Sequence, residues 1–202
     1  MTRTIAAAMA RALSLSFALS LASWPAFGEE AKPLTTILLV AREDVTDSNF
    51  KNSTVLVMNN VGEAPAGVIV NRPTNIPVSR LYPDLPALAK LDDKLYYGGP
   101  VEIRTVSFVF RANAPPEGAT QVLEGIYIST DLVLLRKLLT RTKPMDGLRV
   151  FIGYSGWARG QLEAEIARGD WRLAPADGDS LFTRKNEFPW PERSAPASGQ
   201  RT

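Results

Sequence analysis

The stretch LRVFIGYSGWARGQLEAEIARG, residues 148–169, decides how this chain is read. Leu148–Tyr154 is a short apolar run with β-branched members, which predicts a strand. Gly156 supplies a hinge. From Trp157 to Arg168, Ala158, Leu162 and Ile166 recur at i, i+4 and i+8, the spacing of one helix face, and Gly169 follows where a C-cap glycine belongs. A strand therefore runs directly into a helix late in the chain.

Working outward, Thr35–Ala41, Ser53–Met58 and Ala66–Val70 predict three further strands. Pro73, Pro77, Pro83 and Pro86 then leave room only for one-turn helices, as around Val78–Leu81. Lys94–Tyr97 resumes extended structure and runs into Gly98-Gly99-Pro100. Thr105–Arg111 alternates, with Val106, Phe108 and Phe110 on one face, and Thr120–Ile128 reads as one more strand. Ser129 or Thr130 is placed to cap a helix over Asp131–Thr140 that buries Leu132, Leu135, Leu138 and Leu139. Its Arg136, Lys137, Arg141 and Lys143 gather at the carboxyl end, where they oppose the helix dipole and read as a solvated end. Asp170–Leu173 is a last short strand. Strands outnumber helices and the helices come late, which predicts one α+β domain over residues 34–188.

Composition excludes several chemistries. The 202 residues contain neither His nor Cys. That removes the Ser-His-Asp triad, the imidazole base, the thiolate nucleophile, disulfides, and every His- or Cys-ligated metal. The formal charge of +2 invites a nucleic-acid partner, but the amino terminus accounts for all of it. Arg3 and Arg11 precede the apolar run Ala12–Ala22, Ser23-Trp24-Pro25 breaks it, and Ala26-Phe27-Gly28 offers small residues at the −3 and −1 positions. This is the layout of a secretory signal peptide, cleaved after Gly28. The run is about half the roughly 20 residues needed to span a bilayer, so no stable membrane insertion is expected after cleavage. Without residues 1–28 the basic and acidic residues balance at 21 each, and nucleic acid loses its electrostatic footing. The expected product is periplasmic or secreted. It has a short lead at 29–33 and a Pro- and Ser-rich tail at 189–202 with the composition of disorder.

Four motifs carry possible chemistry. Gly153-Tyr154-Ser155-Gly156-Trp157 imitates a nucleophile elbow, but Trp157 replaces the closing glycine and no His exists to take the Ser155 proton. The same turn could hold a small anion at the amino end of the predicted helix, with Gly156 allowing close approach and Arg159 adding a donor. Glu163 and Glu165 stand two apart, so on a helix they point about 200° from each other and cannot flank one bond. Glu165 is expected to pair with Arg168. Asn71-Arg72-Pro73 ends a strand; Arg72 either clamps a substrate or braces a carboxylate of the fold, and Gly98-Gly99 is a turn before it is a ligand loop. No catalytic residue, metal ligand or cofactor motif is assigned.

In this order the segments resemble the AlgH/YqgE family of bacterial proteins. The resemblance covers about residues 35–190. It rests on Asp47-x-x-Phe50, Gly67-Val68-Ile69-Val70-Asn71-Arg72-Pro73, Tyr97-Gly98-Gly99-Pro100-Val101 and Gly153-Tyr154-Ser155-Gly156-Trp157-Ala158-Arg159-Gly160-Gln161-Leu162-Glu163, with Pro175-Ala176-Asp177 and Trp190 following. It implies an α+β fold whose bent, bifurcated, mostly antiparallel sheet forms a partial barrel. It implies no established reaction. The family is often labelled a transcriptional regulator, which zero mature charge, an export signal and the lack of a helix-turn-helix pattern all oppose. The family usually has Ala where this chain has Ser155. Two readings remain. One is a non-enzymatic binding or interaction module, with a protein or small-anion partner and a surface drawn from Asn71, Arg72, Gly98, Gly99, Gly156, Trp157, Arg159, Gln161 and Glu163. The other is a cofactor-independent enzyme or small-anion-binding protein built on Arg72, Glu163 and the Gly156 helix N-terminus.

Overall fold

The computed structural model describes residues 36–59 and 62–182. The expected signal peptide, lead and tail lie outside the described residues. Ten strands are described: β1 (Thr36–Ala41), β2 (Thr54–Met58), β3 (Ala66–Ile69), β4 (Pro73–Pro77), β5 (Lys94–Tyr97), β6 (Val101–Arg111), β7 (Thr120–Leu123), β8 (Ile126–Ser129), β9 (Leu148–Gly156) and β10 (Trp171–Pro175). Two α-helices, α1 (Leu132–Leu139) and α2 (Gln161–Arg168), fall in the second half. The fold is α+β, with a curled, forked sheet forming a half-barrel.

The fork is β9. The sheet runs β10-β1-β2-β3-β9-β6-β8-β7, and every pair along that path is antiparallel. The end of β9 pairs with β3, through Gly67 opposite Ser155 and Ala66 opposite Gly156. Its middle pairs in parallel with β5 instead, Tyr96 opposite Phe151 and Tyr97 opposite Ile152. One strand edge thus serves two neighbours in succession, and the sheet splits there.

The continuous apolar runs of β1 and β2 have a physical cause: both faces of these strands are buried. Leu38 and Leu56 join Val68, Val109, Ile128 and Phe151 in one core cluster. Leu39, Val55 and Val57, one residue out of phase, pack with Ile69, Leu162 and Trp171 in another. A third cluster gathers Phe108, Phe110 and Val150 with Leu135 and Leu139 of α1. Among the described residues, no helix is long and apolar enough to cross a membrane.

Several expectations need correction. Pro73–Pro77, within the stretch expected to allow only one-turn helices, is a strand; it pairs only with β5, and proline is tolerated on such an edge. Thr120–Ile128 is a hairpin rather than one strand, because Gly125 takes φ +66° and turns the chain. β6 starts at Val101, before the expected Thr105, across a register shift between Val101 and Val106. Asp131 caps α1, its Oδ1 accepting from Val133 N at 2.8 Å, while Ser129 Oγ donates to Gly118 O instead. Leu132, expected in the core, is half exposed at the first turn. The second helix begins at Gln161 rather than Trp157, and Ala158, expected in the core, is exposed.

Candidate functional site

The site is built on the loop between β1 and β2. Asp47 opens it: its backbone carbonyl accepts from Phe50 N and Lys51 N, and its Oδ1 from Asn49 N at 2.8 Å. Arg72 then grips the loop from beneath. Its Nη1 donates to Asn49 O at 2.7 Å and Ser48 O at 3.5 Å, and its Nη2 to Lys51 O at 2.9 Å. Asn71 adds a second clamp, donating from Nδ2 to Asn52 O and accepting from Thr54 N, both at 2.9 Å. Tyr97, below the Arg72 guanidinium, donates its hydroxyl to Asn49 Oδ1 at 3.2 Å. Burial above all pushes the Tyr97 hydroxyl above its ordinary pKa, against the lowering influence of Arg72. Arg72 is thus a brace, as the structural alternative expected, but it holds carbonyls rather than a carboxylate.

These clamps present Phe50 to two indoles. Its ring stacks with Trp157 at 6.3 Å between centroids and meets Trp171 edge-on at 5.6 Å; the two indoles are 6.2 Å apart at 76°. Such separations and angles are those of favourable aromatic pairs. Behind them one carboxylate organises the wall. Glu165 Oε2 accepts from both Trp157 Nε1 and Trp171 Nε1 at 2.9 Å, and Oε1 accepts from Gln161 Nε2 at 2.9 Å. Gln161 in turn accepts from Ala158 N at 3.0 Å, fixing the segment that leads into α2. The expected Glu165–Arg168 pair does not form; Arg168 donates to Asp170 at 2.6 Å.

In front of these rings lies an open cleft of about 350 Å³. Of the candidate residues, Gly156, Trp157 and Gln161 line it. Asn71 and Arg72 act on it at one remove, through the loop. Gly98 and Gly99 are buried, with backbone pressed against Gly153 and Tyr154, and offer no ligand loop. Arg159 points to solvent, 79% exposed, with Glu63 at 3.7 Å. Glu163 is exposed and off the cleft. Neither Arg72 nor Glu163 lines the cavity, so the parts proposed for an enzyme are not assembled there.

The helix-terminus anion site also needs revision. Gly156 ends β9, and the helix starts five residues later behind Gly160, whose φ of +77° no L side chain adopts readily. Ser155 is fully buried and donates to Gly98 O at 3.0 Å, a packing hydroxyl with no access to substrate.

Phe50, Glu165, Trp171 and the acidic rim residues Asp44, Asp47 and Asp170 were not singled out as site residues by sequence. The usable signal was two Trp residues flanking a short helix that carries a carboxylate midway. Only tertiary structure brings Phe50 to them.

A family model described as AlgH-like matches residues 38–200. A UPF0301 protein of Chlorobaculum tepidum is 32% identical over 163 residues, covering 80% of this chain and 85% of that protein. A UPF0301 protein of Methylococcus capsulatus is 35% identical over 158 residues, covering 76% and 86%. Two solved structures share the fold at a TM-score of 0.60: a Corynebacterium diphtheriae protein, 27% identical, covering 73% of this chain and 78% of that one, and the AlgH protein of Pseudomonas aeruginosa, 25% identical, covering 73% and 79%. This chain belongs to the AlgH/YqgE family.

Proposed function

We propose that this chain is an exported, non-enzymatic binding module that holds a ligand in the Phe50–Trp157–Trp171 cleft. The cleft itself carries the reading. Its volume of about 350 Å³ suits a small molecule or one side chain of a partner, and its walls are fixed by clamps rather than left to loop motion. Chemistry has little purchase there. The chain has no His or Cys, Ser155 is sealed in the core, and Glu165 already accepts three hydrogen bonds. Export rests on the amino-terminal layout, with the mature chain starting at Glu29 and the family domain following it.

A thermal-shift screen of the purified protein against a panel of metabolites, neutral and of both charges, tests the cleft. A ligand present at about 100 times its Kd adds about 2.7 kcal/mol, a readily seen rise in Tm. The rise should vanish in Trp157→Ala, read against that variant's own baseline, and persist in Glu163→Ala. A panel that moves nothing, or a shift indifferent to Trp157, removes the cleft from consideration. Cell fractionation tests export separately: a full-length cytosolic product sinks it.

A further inference from the structure

We propose that the chain just beyond Phe182, residues 184–190, folds back into a groove beside β5 and β9, seating an aromatic ring there and pairing Glu187 with the buried Arg149. The groove is open and about 250 Å³ in volume. Tyr96, Met145, Leu148 and Phe182 supply its apolar lining, and Arg149 lies among them. It shares no lining residue with the Phe50 cleft. It also marks the seam between two cores. Tyr96 and Phe182 pack against the cluster of Leu56 and Phe151, whereas Met145 and Leu148 go with that of Phe108 and Leu135.

Arg149 stands out in that lining because it is only 6% exposed. Its Nη1 donates to Val70 O at 2.8 Å, and its guanidinium lies over the Tyr96 ring at 4.4 Å. Burial lowers its pKa below the ordinary value. A guanidinium carries five N–H donors, and a carboxylate is the acceptor that best offsets the cost of burying its charge.

The occupant follows from where the chain goes. Leu181 is buried in the core, and Arg111 holds the turn before it, donating to Gly178 O at 2.8 Å with its guanidinium over the Phe182 ring at 5.0 Å. The described chain thus ends pinned in the groove's own wall. The family match continues to residue 200, well past that point. The continuation reads TRKNEFPWPE over residues 183–192. Glu187 is its first carboxylate, and the chain from Phe182 to it spans at most about 18 Å when fully extended. Arg184 and Lys185 precede it, while Asp92 and Asp93 line the groove with Arg149, so both signs meet their opposite. Phe188 and Trp190 each precede a proline, which favours extended backbone and reduces the entropy lost on seating.

Nuclear magnetic resonance of the purified protein tests the seating. Overhauser contacts should join the Phe188 or Trp190 ring to the Met145 methyl group, and the resonances of that ring should lie away from their free-chain positions. Glu187→Gln, which keeps side-chain shape, should move the Arg149 Nε–H resonance and weaken the Overhauser contact. Glu192→Gln, beyond the seated residues, should do neither.

Free-chain resonances at both rings, with no contact to Met145, overturn the proposal and leave the groove to another molecule. Contacts that appear only between differently labelled copies in a mixed sample overturn it too, since they give the groove to a second chain's segment. An Arg149 resonance indifferent to Glu187→Gln, or moved equally by Glu192→Gln, removes the ion pair and with it the proposed seating.

Discussion

The segment Gly153–Glu163 passes through two places built on opposite terms. At its start the chain is sealed against β5: a Cβ on Gly98 would stand 2.2 Å from Gly153 O, and one on Gly153 2.4 Å from Gly99 O. Backbone touches backbone there, with no room for a side chain, let alone a ligand. Four residues on, Trp157 stands at the edge of an open cleft, its ring against Phe50 and its N–H on Glu165. A single continuous motif thus contains a lock and a wall. Residues that identify the family need not share a role: Gly153 serves packing, whereas Gly156, Trp157 and Gln161 line the cleft.

Gly98→Ala is the hardest blow to the locked end. Its methyl would meet backbone that cannot swing aside, so a loss of about 3 kcal/mol or more is expected in urea unfolding. A variant as stable as the parent would mean that the crossing is looser than drawn. Glu165→Gln attacks the wall instead. With one acceptor oxygen gone, an amide donor must face another donor, and about 2 kcal/mol should be lost together with a change in tryptophan emission. Arg72→Ala should cost about 1 kcal/mol globally, because its acceptor carbonyls can rehydrate. Its sharper signature is local: amide exchange at Phe50–Ser53 should quicken while β9 stays protected. Ser155→Ala should cost less than about 1 kcal/mol, since Gly98 O keeps its bond from Ile69 N. A large loss there would make the hydroxyl more than a filler.

Sequence reading succeeded where burial is complete. After their leading Thr residues, TILLVA and TVLVM are apolar throughout because two cores claim their two faces, and their shortness favours a strand over a helix. It failed where local chemistry permits two outcomes. Trp157–Gly160 has a helix-compatible pattern, yet Gly160 takes a left-handed conformation and the helix waits for Gln161. Pro73–Pro77 lacks strand character because only its partner β5 asks it to be extended. The cleft was half legible. Trp157 and Gln161 stand in a recognisable string, whereas Phe50 is delivered by Arg72 from a strand away, a relation without sequence spacing. Helical spacing puts Glu165 beside Arg168, but two indole donors take its oxygens instead.

The outer strand of the sheet sets an order of events. β10, whose Trp171 completes the aromatic wall, lies hydrogen-bonded to β1, Ile37 opposite Pro175. Among the described strands, the first to be made therefore waits for the last before its outer edge is covered, and such distant pairings form slowly. A nascent chain with this wiring cannot finish its sheet early.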